Sequence, residues 1–170
     1  MLGLERGEVS LASHDASWKE EAQRTIEHLR SILGTAVVDI QHVGSTAVPG
    51  ILAKPIIDIA VGVGRLDGIL PLVPELECNG FVFRGQDVPG QLLFVRGSFE
   101  KDTRTHHIHV VEWDGTEWRN YIGFRDLLRS DPEAASRYET CKKHLAERFP
   151  HDRKHYTGGK AELIAQMLRR

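Results

Sequence analysis

Apolar positions along this chain follow two rhythms. Between residues 16 and 33, Trp18, Ala22, Ile26, Leu29 and Leu33 recur at helical spacing, with Asp15 as a candidate N-cap and Gly34 as a stop. From Ala36 the pattern becomes β-branched. Residues 36–43 and the glycine-bounded run 56–63 read as strands. Three more strands are predicted at 81–84, 91–96 and 106–112, joined by turns that carry Gly and Pro, and a short one at 8–11. Residues 66–78 have helical content, but Pro71 and Pro74 limit any helix there to a short or broken one.

Beyond Trp118 no strand pattern remains. Asp131-Pro132-Glu133 combines an N-cap, a proline at the first helical position and an acid in the first turn, so a helix is expected from there towards Phe149. Glu139 and Lys143 support it at the i,i+4 spacing. A last helix is predicted over 160–170, where Arg169 and Arg170 suit its C-terminal dipole. The expected architecture is α+β, a mixed sheet of about five strands packed with helices. It is read as a single domain over 1–170, with a sheet core and N-terminal helix in 1–115 and a helical part in 116–170.

Composition narrows the function classes. With 170 residues and 41% hydrophobic positions the chain can bury a sizeable core. Its 22 Lys+Arg against 24 Asp+Glu, a net charge of −2, argue against a general duplex-binding protein. No stretch reaches the ~18 apolar residues of a membrane span, and the N-terminus lacks the apolar run of a signal peptide. Cys78 and Cys141 show no metal-type spacing and read as free thiols in a reducing compartment. These features predict a soluble, cytoplasmic protein without a membrane or duplex partner.

The chemistry concentrates at His42-Val43-Gly44-Ser45-Thr46 and at Asp58 inside the apolar run 56–63. A strand that ends in Gly-Ser points backbone N–H groups and a hydroxyl at one spot, a ready site for phosphate. Asp58 sits between Ile57 and Ile59. An unpaired buried carboxylate is costly, so it is expected to face a metal, a cation or an open cleft. An ordinary turn with a locally satisfied aspartate is the alternative. A third cluster, Arg104-Thr105-His106-His107-Ile108-His109, lies on the strand predicted at 106–112. Alternation puts His107 and His109 on one face and His106 on the other. Two imidazoles so placed can grip one metal ion, with a carboxylate completing a mixed site; a histidine-rich strand satisfied within the core is the alternative. His42, Lys54 and Arg104 are further candidates, the first for the same cleft and the other two as phosphate contacts.

The Gly-Ser turn with an aspartate on the next strand is similar to the arrangement of the polymerase-beta-like nucleotidyltransferase superfamily. That resemblance implies a triphosphate on Gly44, Ser45 and Thr46 and a divalent metal, magnesium or manganese, on Asp58. The superfamily pattern has a second acid two residues on, where this chain has Ala60, which puts a two-metal site in doubt. A closer resemblance is to the GrpB family. It is carried by Gly3-Leu4-Glu5-Arg6-Gly7 with Val9, by residues 42–50, and by Lys54-Pro55-Ile56-Ile57-Asp58. Further on it rests on residues 104–111, Phe124-Arg125-Asp126 with Leu128-Arg129, and Tyr156 with Lys160. It implies a nucleotidyltransferase-like fold without an established reaction.

The sharpest expectation is that Asp58, His107 and His109 converge on a metal, with zinc as an alternative to magnesium or manganese. ATP or another nucleoside triphosphate would lie on the Gly-Ser turn. The expected activity is nucleotidyl transfer to a small molecule. The alternatives are a degenerate module that binds a nucleotide or phosphorylated metabolite, and a metal-dependent hydrolase.

Overall fold

In the computed structural model residues 1–169 are described. After β1 (Leu4–Glu5) comes α1 (Ser17–Leu33), whose first turn is closed by Asp15 Oδ1 accepting from the Ser17 N–H at 2.9 Å. Strands β2 (Val37–Val43) and β3 (Ile57–Val63) follow. A 3-10 turn over Leu66–Leu72 then leads into the short helix α2 (Val73–Cys78). The remaining strands are β4 (Val82–Phe83), β5 (Gln91–Arg96), β6 (Thr103–Arg104) and β7 (His106–Glu112). Three helices close the chain: α3 (Thr116–Ser130), α4 (Pro132–Arg148) and α5 (Arg153–Leu168).

Five strands make one mixed sheet in the order β2-β3-β7-β5-β4, while β1 and β6 pair as a separate two-stranded ribbon. Central β3 runs antiparallel to β2 and parallel to β7, in a register that sets Asp58 beside His107 and Ala60 beside His109. Because side chains alternate, each strand serves two faces. One face presents Ile40, Ile57, Ile59, Val61, Ile108 and Phe94 to Trp18, Ala22, Leu29 and Leu33 of α1. Burying each such side chain contributes roughly 1.5–3 kcal/mol. The other face, with Val43, Ala60 and Val111, is covered by Trp118, Tyr121 and Ile122 of α3. Helices α4 and α5 close over the end of that face. Tyr138 and Met167 pack with Val48 and Ile51, and Leu145 and Tyr156 with Val9.

Two predicted elements change. Residues 8–11 form no strand; Val9 instead donates its N–H to the Pro150 carbonyl at 2.9 Å, and the nearest sheet pairing is the lone bridge between Ala12 and Ala53. Val9 is thus held by the loop between α4 and α5 rather than by a ladder. The last helix begins at Arg153, well before Lys160, capped by Asp152, whose side chain accepts from the His155 N–H. Gly158 and Gly159 both lie inside α5. A Cβ at Gly159 would sit 2.5 Å from Leu145 Cδ2, so glycine there lets α5 press against α4. The helix ends at Leu168, and the dipole role expected of Arg170 lies outside the described residues. No helix among those residues is long and apolar enough to cross a membrane.

Candidate functional site

The end of β2, the turn after it and the facing ends of β3 and β7 line one side of a cavity of about 510 Å³, and α3, α4 and α5 line the other. That volume falls within the ~300–1,000 Å³ typical of small-molecule sites. Gly44 begins the turn with φ 72. A Cβ added there would lie 2.7 Å from Asp58 Oδ2. Glycine is therefore required twice, for its left-handed backbone and for the carboxylate that passes beside it.

On the sheet, Asp58, His107 and His109 offer ligand atoms that all lie within 4.8 Å of one another. His109 Nε2 is 3.0 Å from Asp58 Oδ1, and His107 Nδ1 is 3.5 Å from the same oxygen. Burial opposes ionisation of Asp58, but hydrogen bonds from His107 and His109 outweigh it and hold the carboxyl well below the usual carboxylate range. Burial also lowers the His107 pKa in spite of the adjacent Asp58, which favours a neutral imidazole. The His109 ring stacks on Tyr121, centroids 5.0 Å apart, and its buried Nδ1 has no hydrogen-bond partner among the described residues. One ionised carboxylate and two imidazoles within this distance suit a single divalent transition-metal or manganese ion. Ala60, level with His109 across the sheet, leaves no second strand carboxylate.

Four basic side chains line the same cavity. Lys54 places its ammonium 5.0 Å from the centre of the Tyr156 ring and Lys160 places its own at 4.6 Å. Arg153 lines the same cavity, and its buried Nε and Nη2 have no partner among the described residues. Lys142 lies 3.1 Å from Ser45 Oγ, contacts the Leu52 carbonyl and is 1% exposed. Burial and the charges of Lys160 and Arg153 depress the Lys54 pKa to about 7. Burial and Lys160 do the same to Lys142, also to about 7. Cations crowded together without matching carboxylates favour an anion between them.

Gly44, Ser45, Thr46, Lys54, Asp58, His107 and His109 thus meet around one cavity. Two candidates do not join them in the same way. His42 lies on the opposite face of β2, where its Nε2 pairs with Thr46 Oγ1 at 2.9 Å and its ring lines a separate groove beside α1. Strand alternation forces this, because Val43 already points to the Asp58 side. Arg104 on β6 does not line the cavity; it is 5% exposed, lies 4.9 Å over the Phe99 ring and pairs with Asp102 at 3.6 Å. The motif reading missed Lys142 and Arg153 as cavity residues. Lys142 had a signal in the sequence, since Ala134, Tyr138, Lys142 and Leu145 form the buried stripe of α4. A lysine on such a stripe needs a partner in the interior. Arg153 had none, because its place depends on the early start of α5.

The fold is nucleotidyltransferase-like. A crystal structure of the Cid1 poly(U) polymerase bound to MgATP superposes with a TM-score of 0.55, at 18% identity over 81% of this chain and 45% of that one. That likeness is one of fold. The GrpB protein family matches residues 8–170, and this chain belongs to it. The glutamate-rich protein GrpB of Alkalihalophilus pseudofirmus is 39% identical over 99% of this chain and 98% of its own length. The crystal structure of the conserved protein GrpB from Enterococcus faecalis gives a TM-score of 0.83 at 30% identity, covering 94% of this chain and 98% of that one.

Proposed function

We propose that the cavity binds a nucleoside triphosphate with one divalent cation and transfers a nucleotidyl group to a small-molecule acceptor. The observation that carries this reading is that one cavity is lined by a candidate cation site and by several basic side chains. Asp58, His107 and His109 can hold a cation, and Lys54, Arg153 and Lys160 line the same cavity as candidate anion contacts. Gly44 and Ser45 line it too. A cation held by Asp58, His107 and His109 would polarise a phosphoryl oxygen as a Lewis acid. An attacking hydroxyl oxygen forms its bond to the α-phosphorus as the bond to the bridging oxygen breaks, its proton passes to a base in the cavity, and pyrophosphate leaves. The lysines and Arg153 favour that leaving charge by position alone. Free Cys78 and Cys141 support a reducing, cytoplasmic setting.

Ala60 favours a second reading, binding of a nucleotide or phosphorylated metabolite without turnover. Calorimetric titration of ATP into metal-stripped protein, with and without Mg²⁺ or Mn²⁺, tests both. Metal-dependent binding that Asp58→Asn abolishes, with pyrophosphate released once an acceptor is found, supports the transferase. Binding without pyrophosphate release from any acceptor supports the second reading. Absence of ATP binding under every condition rejects both.

A further inference from the structure

The cavity needs a proton acceptor for any hydroxyl that attacks phosphorus in it. Asp58 is engaged by two imidazoles, and Ala60 occupies the next site-facing position on β3. Of the two cavity lysines whose pKa is lowered to about 7, Lys54 and Lys142, it is Lys142 that reaches a hydroxyl. Ser45 and Lys142 meet from opposite sides of the cavity floor. Ser45 follows Gly44 at the start of the turn and is only partly buried, so its hydroxyl borders the cavity. Lys142 Nζ donates to Ser45 Oγ at 3.1 Å and stands 4.7 Å from the centre of the Tyr138 ring.

Burial and Lys160 lower the Lys142 pKa to about 7, with Glu139 opposing, so near neutral pH it exchanges between ammonium and amine. The carboxylate on its own helix, Glu139, already accepts the Leu52 N–H at 2.8 Å and pairs with Lys143 at 2.9 Å. Lys160 faces it from α5, and Lys54 stands close enough to feel its charge. A buried lysine among other cations gives up its proton near neutral pH. In the amine form one N–H is kept for the Leu52 carbonyl, and the lone pair turns to the Ser45 hydroxyl. An exposed nucleophile with a buried base behind it is the arrangement that activated serines require.

We propose that Ser45 and Lys142 are a nucleophile–base dyad that takes a phosphoryl-type group onto Ser45 Oγ. Lys142 Nζ accepts the hydroxyl proton, Oγ forms a bond to phosphorus, and the leaving group departs with the electron pair of the broken bond. For a nucleoside triphosphate attacked at the α-phosphorus that leaving group is pyrophosphate, and a nucleotidylated Ser45 remains. The choice of a nucleotide as natural donor rests on the function proposed above; the dyad itself does not.

The test is therefore run first without nucleotide. A fluorophosphonate should phosphonylate Ser45 with loss of fluoride, located by peptide mass, and Ser45→Ala should not be labelled. Lys142→Met and Lys142→Arg, shown to be folded by circular dichroism, should label at least about 100-fold more slowly, the lower range for loss of a general base. The wild-type rate should rise with pH through an inflection at about 7 that both variants lack. Label on another residue, or wild-type rates in both lysine variants, would overturn the dyad. A second arm uses α-labelled ATP with Mn²⁺ and calorimetry in parallel. Labelled Ser45 with release of pyrophosphate is expected. ATP that binds but leaves Ser45 unmodified overturns the covalent step. Phosphonylation of Ser45 in a protein that does not bind ATP sustains the dyad and rejects the nucleotide.

Discussion

His106 and His107 are neighbours on β7 and live in different worlds. His106 points at α1, 2% exposed, with Nδ1 2.8 Å from Thr105 Oγ1 and Nε2 3.1 Å from Thr25 Oγ1. Burial lowers its pKa to about 4, and both ring nitrogens have partners. His107, one residue on, joins His109 at Asp58 on the cavity side. Residue type does not separate a structural histidine from a candidate ligand. What separates them is which face of the sheet is covered by an apolar helix and which by a cavity wall. The same division separates His42 from Val43 on β2.

Substitutions on the two faces should break this contrast in opposite ways. The largest effect is expected from Trp18→Ala on the α1 side, where loss of a fully buried indole should cost about 3–5 kcal/mol in denaturant unfolding. The affinity for Mn²⁺ or Zn²⁺, measured calorimetrically on the folded variant, should stay unchanged. His107→Ala should act chiefly on the metal. Removal of a direct ligand should weaken metal binding by at least the ~10–100-fold that loss of an outer-shell partner costs, with a smaller loss of stability than Trp18→Ala, about 1–3 kcal/mol, because Asp58 loses one of its partners. Equal metal affinity in wild type and His107→Ala would remove the metal from the cavity.

The pH dependence of stability sharpens the contrast further. Burial depresses the His42 pKa from 6.5 to about 4, opposed by Asp58 and assisted by Arg129, Arg125 and His14. Between those values the unfolded chain binds a proton that the folded protein does not. Stability therefore falls as pH drops from 6.5 towards about 4, by up to about 1.4 kcal/mol per pH unit for one such group. His42→Gln should flatten that slope in urea titrations run across the range, and an unchanged slope would contradict a neutral buried His42. The smallest effect is expected from Arg104→Lys. Arg104 stands outside the cavity, so ATP affinity should move less than about twofold, within the usual range of a distant substitution.

The strands and the charged motif could be read from the chain because each depends on local pattern. The run 106–112 is β7 residue for residue, and its period of two already sorted His107 and His109 from His106. Gly44 followed by Ser45 announced a tight turn with exposed donors. Where the reading failed, distant segments made the decision. Residues 8–11 had strand-like alternation, but their partner is the loop at Pro150. The last helix was expected from Lys160, but it begins at Arg153, capped by Asp152. Arg104 looked like part of the histidine cluster, yet β6 pairs with β1 in the small ribbon and its side chain turns to Phe99.

By itself the sequence determined the alternation of β3 and β7, the Gly-Ser turn and the helical character of the C-terminal third. Those follow from periodicity, caps and the conformational freedom of glycine, which act over a few residues. The tertiary structure alone decided that Lys142, from α4, would stand 3.1 Å from Ser45, and that Arg153 would bring to the same cavity a guanidinium whose buried Nε and Nη2 have no partner among the described residues. Nearly a hundred residues separate Ser45 from Lys142 in the chain. Only packing of α4 and α5 over the sheet end removes the water between them, and that desolvation is what brings a lysine's pKa down to about 7.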